Sequence, residues 1–164
     1  MKPLKLVLIR GIPGSGKTTF AKTLATYWRV FNAKEMAADD YFMDGTEYRF
    51  DPTKLKEAHD NCMYRAFAAM DHGIAIVHNT FVYASHMKPY IDYALDTGGS
   101  YLEVICTAQG HSVHAVPEAT LAKMRADFQH TADPMAYVYN HTVTSVNDAV
   151  LRLGYLGFVA SHRK

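Results

Sequence analysis

Cysteine is scarce in this 164-residue chain: only Cys62 and Cys106 occur. They lie far apart and fall in different expected elements, which excludes a disulfide framework and a CxxC metal site. Charge of one sign is scarce too. Lys and Arg total 17 against 16 Asp and Glu, a formal net charge of +1. That balance excludes a binder that relies on bulk positive charge, while leaving room for a local basic groove. The longest apolar runs, such as Leu4–Ile9, are strand-sized, well short of the roughly 20 residues of a membrane helix. A signal-peptide core, internal repeats and low-complexity stretches are also lacking. With 49% hydrophobic and 20% charged residues, the composition is globular rather than disordered. The expectation is one soluble domain over residues 1–164, in the reducing cytoplasm, with no membrane partner. The oligomeric state is left open.

What the chain has is an alternation of apolar strand-like runs with helical stretches, the pattern of a parallel α/β sheet. Leu4–Arg10 reads as a strand buried on both faces. Lys17–Trp28 reads as a helix, Lys34–Ala38 as a weak second strand, and Asp39–Phe50 as a loop rich in aromatics. Asp51-Pro52 is an N-cap followed by proline at the first helical position. Helical spacing runs from Leu55 to Met70, and Gly73 stops it. Gly73–His78 and Tyr101–Thr107 read as strands. Ser85–Thr97 and Pro117–Gln129 read as helices, with a polar loop at Ala108–Val116. Ser145–Leu153 and Tyr155–Ala160 are a candidate last helix and strand.

The segment from Gly11 to Thr18 (Gly-Ile-Pro-Gly-Ser-Gly-Lys-Thr) matches G-x-x-x-x-G-K-[ST] at every defined position. A buried strand precedes it and a helix follows. Such a loop wraps a pyrophosphate with backbone N–H groups, and Gly11, Gly14 and Gly16 remove the side chains that would block that approach. The opening of the following helix points its positive dipole end at the phosphates. Lys17 reaches β- and γ-phosphates, and the Thr18 hydroxyl is placed for Mg²⁺. ATP and Mg²⁺ are the expected cofactors, held by Gly11, Pro13, Gly14, Ser15, Gly16, Lys17, Thr18 and Thr19. A chain of this size with no second subdomain favours a small kinase. The acids Asp39 and Asp40 follow the second strand, at the edge where an α/β sheet keeps its ligands. They are either an acceptor-activating pair, with Asp40 a further candidate for Mg²⁺, or solvated loop acids.

The ordered set Arg10–Thr19, Asp39-Asp40-Tyr41, Tyr48–Pro52, Glu57-Ala58-His59, Asn79-Thr80 and His114–Pro117 resembles the polynucleotide kinase-like P-loop kinases, over roughly residues 4–130. The resemblance implies a P-loop NTPase three-layer sandwich with a mainly parallel sheet and a short lid. It implies that Asp39 is the general base toward an acceptor hydroxyl and that Asn79 and Thr80 lie near the same pocket. It also implies a lid that supplies a basic residue to the triphosphate. Three positions depart from the pattern. Phe42 stands where polynucleotide kinases carry an arginine for the acceptor's phosphate. His111, with His114 three residues on, stands where the lid arginine is expected. His78 stands where relatives often place an acid. Arg125 is an alternative source of lid charge.

Tyr41, Phe42, Tyr48 and Phe50, with Arg49 beside them, are either a stacking platform for a base or a cap over the core. His59 is equally a packed histidine or a substrate contact. The leading expectation is a kinase that phosphorylates a hydroxyl on nucleic acid, with DNA favoured. Its acceptor is the hydroxymethyl group of 5-hydroxymethyluracil or 5-hydroxymethylcytosine, as in small phage-type kinases, or else a 5′-OH end. The alternatives are a kinase of a nucleoside, sugar or antibiotic, and a nucleotide-binding module without catalysis.

Overall fold

The computed structural model describes residues 2–108, 110, 116–130, 137–139, 145, 147–149, 151 and 153. Apolar strands and amphipathic helices alternate along the chain as the sequence pattern requires. The strands are β1 (Leu4–Arg10), β2 (Ala33–Met36), β5 (Ile74–His78), β6 (Ser100–Cys106) and β7 (Tyr137–Tyr139). They form one parallel sheet in the order β2-β5-β1-β6-β7. The helices are α1 (Lys17–Tyr27), α2 (Leu55–His72), α3 (Lys88–Asp96) and α4 (Glu118–Asp127).

Period-two alternation divides the core. Leu6, Leu8, Ala75 and Val77 face one layer with Ala58, Cys62, Ala66 and Met70 of α2 and Tyr90 and Ala94 of α3. Val7, Ile9, Ile74 and Ile76 face the other layer with Phe20, Ala21 and Leu24 of α1 and with Ala149 and Leu153. The result is the expected three-layer sandwich with helices on both faces. Burying a side chain such as Phe20 completely stabilises the fold by about 1.5–3 kcal/mol.

Three local features differ from expectation. The aromatic segment after β2 is ordered: Ala38–Phe42 is a 3₁₀ turn, and β3 (Met43–Asp44) pairs antiparallel with β4 (Glu47–Tyr48) around Gly45. The expected helix over 85–97 divides into a 3₁₀ turn, Ala84–His86, and α3, because Pro89 is accommodated only in a first helical turn. The edge strand β7 was not expected, since three residues carry no readable period. The expected strand over 155–160 lies outside the described residues. Among the described residues, no helix is long and apolar enough to cross a membrane.

The chain runs from β1 to one edge and, after β5, crosses β1 to reach β6. The strand order therefore reverses beside β1, and the carboxyl end of β1 is the switch point where open α/β sheets bind ligands.

Candidate functional site

The loop Gly11–Gly16 leaves the carboxyl end of β1 at that point. Gly11 has φ 151°, and a Cβ there would stand 2.5 Å from both the Cys106 carbonyl oxygen and Ser15 Oγ. Gly16 caps α1 in the left-handed region, with φ 91°. The cradle is therefore shaped by the absence of side chains. Ser15 Oγ is buried within it and has no partner among the described residues. A buried hydroxyl without a partner is costly, and a phosphate oxygen would satisfy it, so the residues present fit a polyphosphate.

Lys17 is partly buried, and its ammonium donates to the Ile12 carbonyl oxygen at 2.8 Å. Burial pushes its pKa down to about 8, while Cys106 and Asp39 pull it up. The Asp39 charge is thus felt at the lysine that begins α1. Thr18 and Thr19 are exposed in the first turn of α1, and Pro13 and Gly14 are half-buried in the loop. The Gly110 amide donates to the Gly14 carbonyl oxygen at 3.0 Å, so the chain after β6 rests on the loop.

The two acids have separate roles. The Asp40 carboxylate accepts the Ala37 N–H at 2.9 Å and an Arg65 N–H at 3.1 Å. Both bonds are made by Oδ2; they close the 3₁₀ turn and tie Asp40, the further candidate for Mg²⁺, to α2. Asp39 is exposed and accepts the Tyr48 hydroxyl at 3.4 Å. Burial first, and then the Asp39 charge, push the Tyr48 phenol up to about 12. The same charge reaches His59 on α2, whose pKa is lowered mainly by burial.

The Asn79 side chain is engaged within the fold. It accepts the Ala38 N–H at 2.9 Å and donates to Cys62 Sγ at 3.6 Å, so it fastens the turn carrying Asp39 to the end of β5. Thr80 meets the phosphate loop through its carbonyl, which accepts the Gly11 N–H at 3.2 Å.

Among the aromatics, Phe42, expected beside the substrate, is packed into the core. It is 5% exposed because its ring fills the space between the turn and α2. Tyr41 donates to Glu57 at 2.9 Å. Tyr48 and Phe50 stack with 14° between planes, and Phe50 is 53% exposed. Arg49 is engaged by Asp44 at 3.1 Å and Glu47 at 2.6 Å.

On the other side of the loop, a cleft of about 170 Å³ is lined by Gly11, Ile12, Cys106, Ala108, Arg125 and Phe128, among others. Arg125 pairs with Glu118 at 2.6 Å at this margin. His111 and His114 lie outside the described residues.

His78 Nε2 and Glu35 Oε2 meet at 2.5 Å. An ionised carboxylate only accepts, so Nε2 carries the proton. The hydrogen bond from His78 holds Glu35 below its ordinary carboxylate range, against burial that pushes it up; His78, Lys22 and Arg65 charges add to the lowering. A carboxyl depressed in the folded state adds stability above its unfolded pKa, and that stability disappears as pH falls through the folded value. Glu35→Gln is therefore expected to flatten the fall in melting temperature below about pH 4.5. A wild-type and variant difference that stays constant from pH 3 to pH 7 would refute this.

No protein-family model matches the chain. Over 90 residues, 54% of this chain, it is 41% identical to human NEDD4-binding protein 2, and the match spans only 5% of that protein. Among solved structures, it is similar to the Mycobacterium tuberculosis APS kinase CysC in complex with AMPPNP and APS. The TM-score is 0.64 at 16% identity, over 95% of this chain and 98% of that one. A gluconokinase from Sinorhizobium meliloti gives 0.58 at 13% identity, over 99% and 100%. The fold is that of the P-loop kinases.

Within this P-loop kinase fold, sequence reasoning assigned no role to Arg10 and overlooked Glu103. Arg10 is fully buried, bonded to Glu103 at 3.0 Å, and its guanidinium carbon lies 4.4 Å from the centre of the Phe128 ring. The available signal was a charge directly after the apolar run Leu6–Ile9 of β1 and another inside β6. Neither signal names its partner, because the two residues are 93 positions apart.

Proposed function

We propose that the chain is an ATP- and Mg²⁺-dependent phosphotransferase whose acceptor is an alcohol on nucleic acid. The observation that carries the phosphotransferase reading is the glycine-shaped cradle at the carboxyl end of β1, where a Cβ at Gly11 would stand 2.5 Å from Ser15 Oγ and that buried hydroxyl has no partner among the described residues, with the exposed Asp39 carboxylate on the turn after β2. Phosphoryl transfer needs a cation on the donor and a carboxylate toward the acceptor. The loop amides, Ser15 and Lys17 would hold the phosphates, and Thr18 would hold Mg²⁺. ATP supplies the phosphoryl group, and Mg²⁺ neutralises charge on its phosphates. Asp39 receives the acceptor's hydroxyl proton on a carboxylate oxygen. The stacked Tyr48 and Phe50 beside Asp39 support a base-bearing acceptor, since a flat ring binds an unstacked base. The hydroxymethyl group of a modified pyrimidine in DNA suits that platform, with a 5′-OH end as the other nucleic-acid acceptor.

A second reading is a small-molecule kinase. Asp39, Asp40, Asp44, Glu47, Asp51 and Glu57 give the acceptor edge an acidic rim, and Arg49 is neutralised within it. Such a rim repels a polyanion. A gluconokinase is among the proteins of similar fold.

Transfer of label from γ-labelled ATP separates the readings. The acceptors are DNA containing 5-hydroxymethylpyrimidines, a 5′-OH oligonucleotide, and free nucleosides and sugars. Label on DNA is expected. Label on nucleosides or sugars alone would overturn the nucleic-acid reading. Bound ATP with no label on any acceptor would favour a module without catalysis.

A further inference from the structure

The six residues Asn79–Ala84, which follow β5, touch the Asp39 turn, the phosphate loop and the end of α4. The Asn79 side chain holds Ala38 at the start of the Asp39 turn. The Thr80 carbonyl accepts from Gly11 of the phosphate loop. The Val82 carbonyl accepts the Gln129 N–H at 2.9 Å, and the Ala84 N–H donates to Gln129 Oε1 at 2.9 Å. Tyr83 donates to Asp127, at the end of α4, at 2.8 Å.

Arg10 lies under the middle of this segment. One of its terminal nitrogens donates to the Phe81 carbonyl at 2.6 Å and to the Val82 carbonyl at 3.4 Å. The other donates to Glu103. Phe81 is held at φ 43°, where non-glycine residues rarely rest, and its ring is anchored against Tyr90 with 5.7 Å between centres. A strained residue persists where its surroundings over-determine it, and one guanidinium nitrogen bonding to both carbonyls, with the other held by Glu103, does so here. A strand end that only had to fill space would carry another aliphatic residue, as the rest of β1 does on its buried faces. A fully buried charge is costly unless it is paired and bonded.

We infer that Arg10 is a positioning residue. Its fork locks the Asn79–Ala84 segment so that the phosphate loop, α4 and the Asp39 turn hold one relative geometry, and nucleotide bound at the loop is felt at the turn. This rests on the nucleotide-binding part of the proposed function and is independent of the acceptor. Coupling of this kind has a reciprocal energetic signature and is measured without turnover.

The test is hydrogen exchange on the full chain with and without ADP and Mg²⁺, after calorimetry has confirmed that ADP binds. In the wild type, ADP is expected to slow exchange at the phosphate loop and, by about fivefold or more, at amides 37–42. Arg10→Lys keeps the charge and loses the fork. It should retain ADP protection at the loop while losing it at 37–42. A purely structural Arg10 would instead raise exchange across β1 and β6 equally with and without ADP. Gln129→Ala, at an exposed site remote from the core, is expected to weaken the same protection, and it carries the test if Arg10→Lys does not fold. Unchanged protection at 37–42 in these variants would overturn the inference, as would its absence in wild type that binds ADP. Failure of ADP to bind would instead overturn the nucleotide reading, and the inference with it.

Discussion

Asp39→Asn is expected to lower phosphoryl transfer by about 10²–10⁴-fold, the range for loss of a general base, while nucleotide binding survives. The asparagine keeps the size and the ability to accept from Tyr48, so the hairpin and the turn should stay in place. What it loses is the capacity to take a proton. Its neighbour is the internal control. Asp40 holds the Ala37 N–H and Arg65, so Asp40→Asn should act chiefly on stability, through a weakened turn and a lost ion pair that is about 40% exposed at each end. Label transfer and nucleotide calorimetry on both variants check this. Equal turnover in Asp39→Asn and wild type would remove Asp39 from the base role. Equal loss in both variants would mean that the turn, not the carboxylate, is what matters.

Glu103→Ala should be strongly destabilising at the centre of the fold. It leaves the Arg10 charge at 0% exposure without its counter-ion. Breaking a buried pair by removing one partner costs about 3–5 kcal/mol. A domain has only about 5–15 kcal/mol of stability in total, and the loss corresponds to roughly 10 °C or more in melting temperature. Urea unfolding measures it. The double change Arg10→Met with Glu103→Leu should recover most of the loss, because apolar replacement of a buried pair is often neutral or stabilising. The same double variant should still fail to carry ADP protection to residues 37–42. Stability restored together with that protection would mean the pair serves packing alone. A Glu103→Ala cost below about 1 kcal/mol would place it with exposed pairs, contrary to its burial.

The elements that were legible in the sequence are those whose cause is local. A nearly continuous apolar run made β1 readable, the glycine pattern made the phosphate loop readable, and Gly73 marked the end of α2 correctly. The 3₁₀ turn and hairpin after β2 were not readable, because Phe42 becomes core only once α2 packs on the turn. Phe42 and Phe50 are the same residue type in one aromatic segment, yet one is buried and the other half exposed. Asn79 illustrates the same limit. Its place near the site followed from the resemblance, while its work as a tie between β5 and the Asp39 turn needed the backbone of residue 38 beside it.

By itself, the sequence determined the parallel α/β class, the phosphate loop and which residue types stand near it. These follow from periodicity, glycine placement and a fixed motif, all set within a few residues of one another. Only the tertiary structure decided how the adjacent acids divide, with Asp40 given to Arg65 and Asp39 exposed beside Tyr48. Only it brought Arg10 to Glu103 and to the carbonyls of Phe81 and Val82. A charge in a chain carries no record of its partner, and strand pairing between β1 and β6 is what closes the distance.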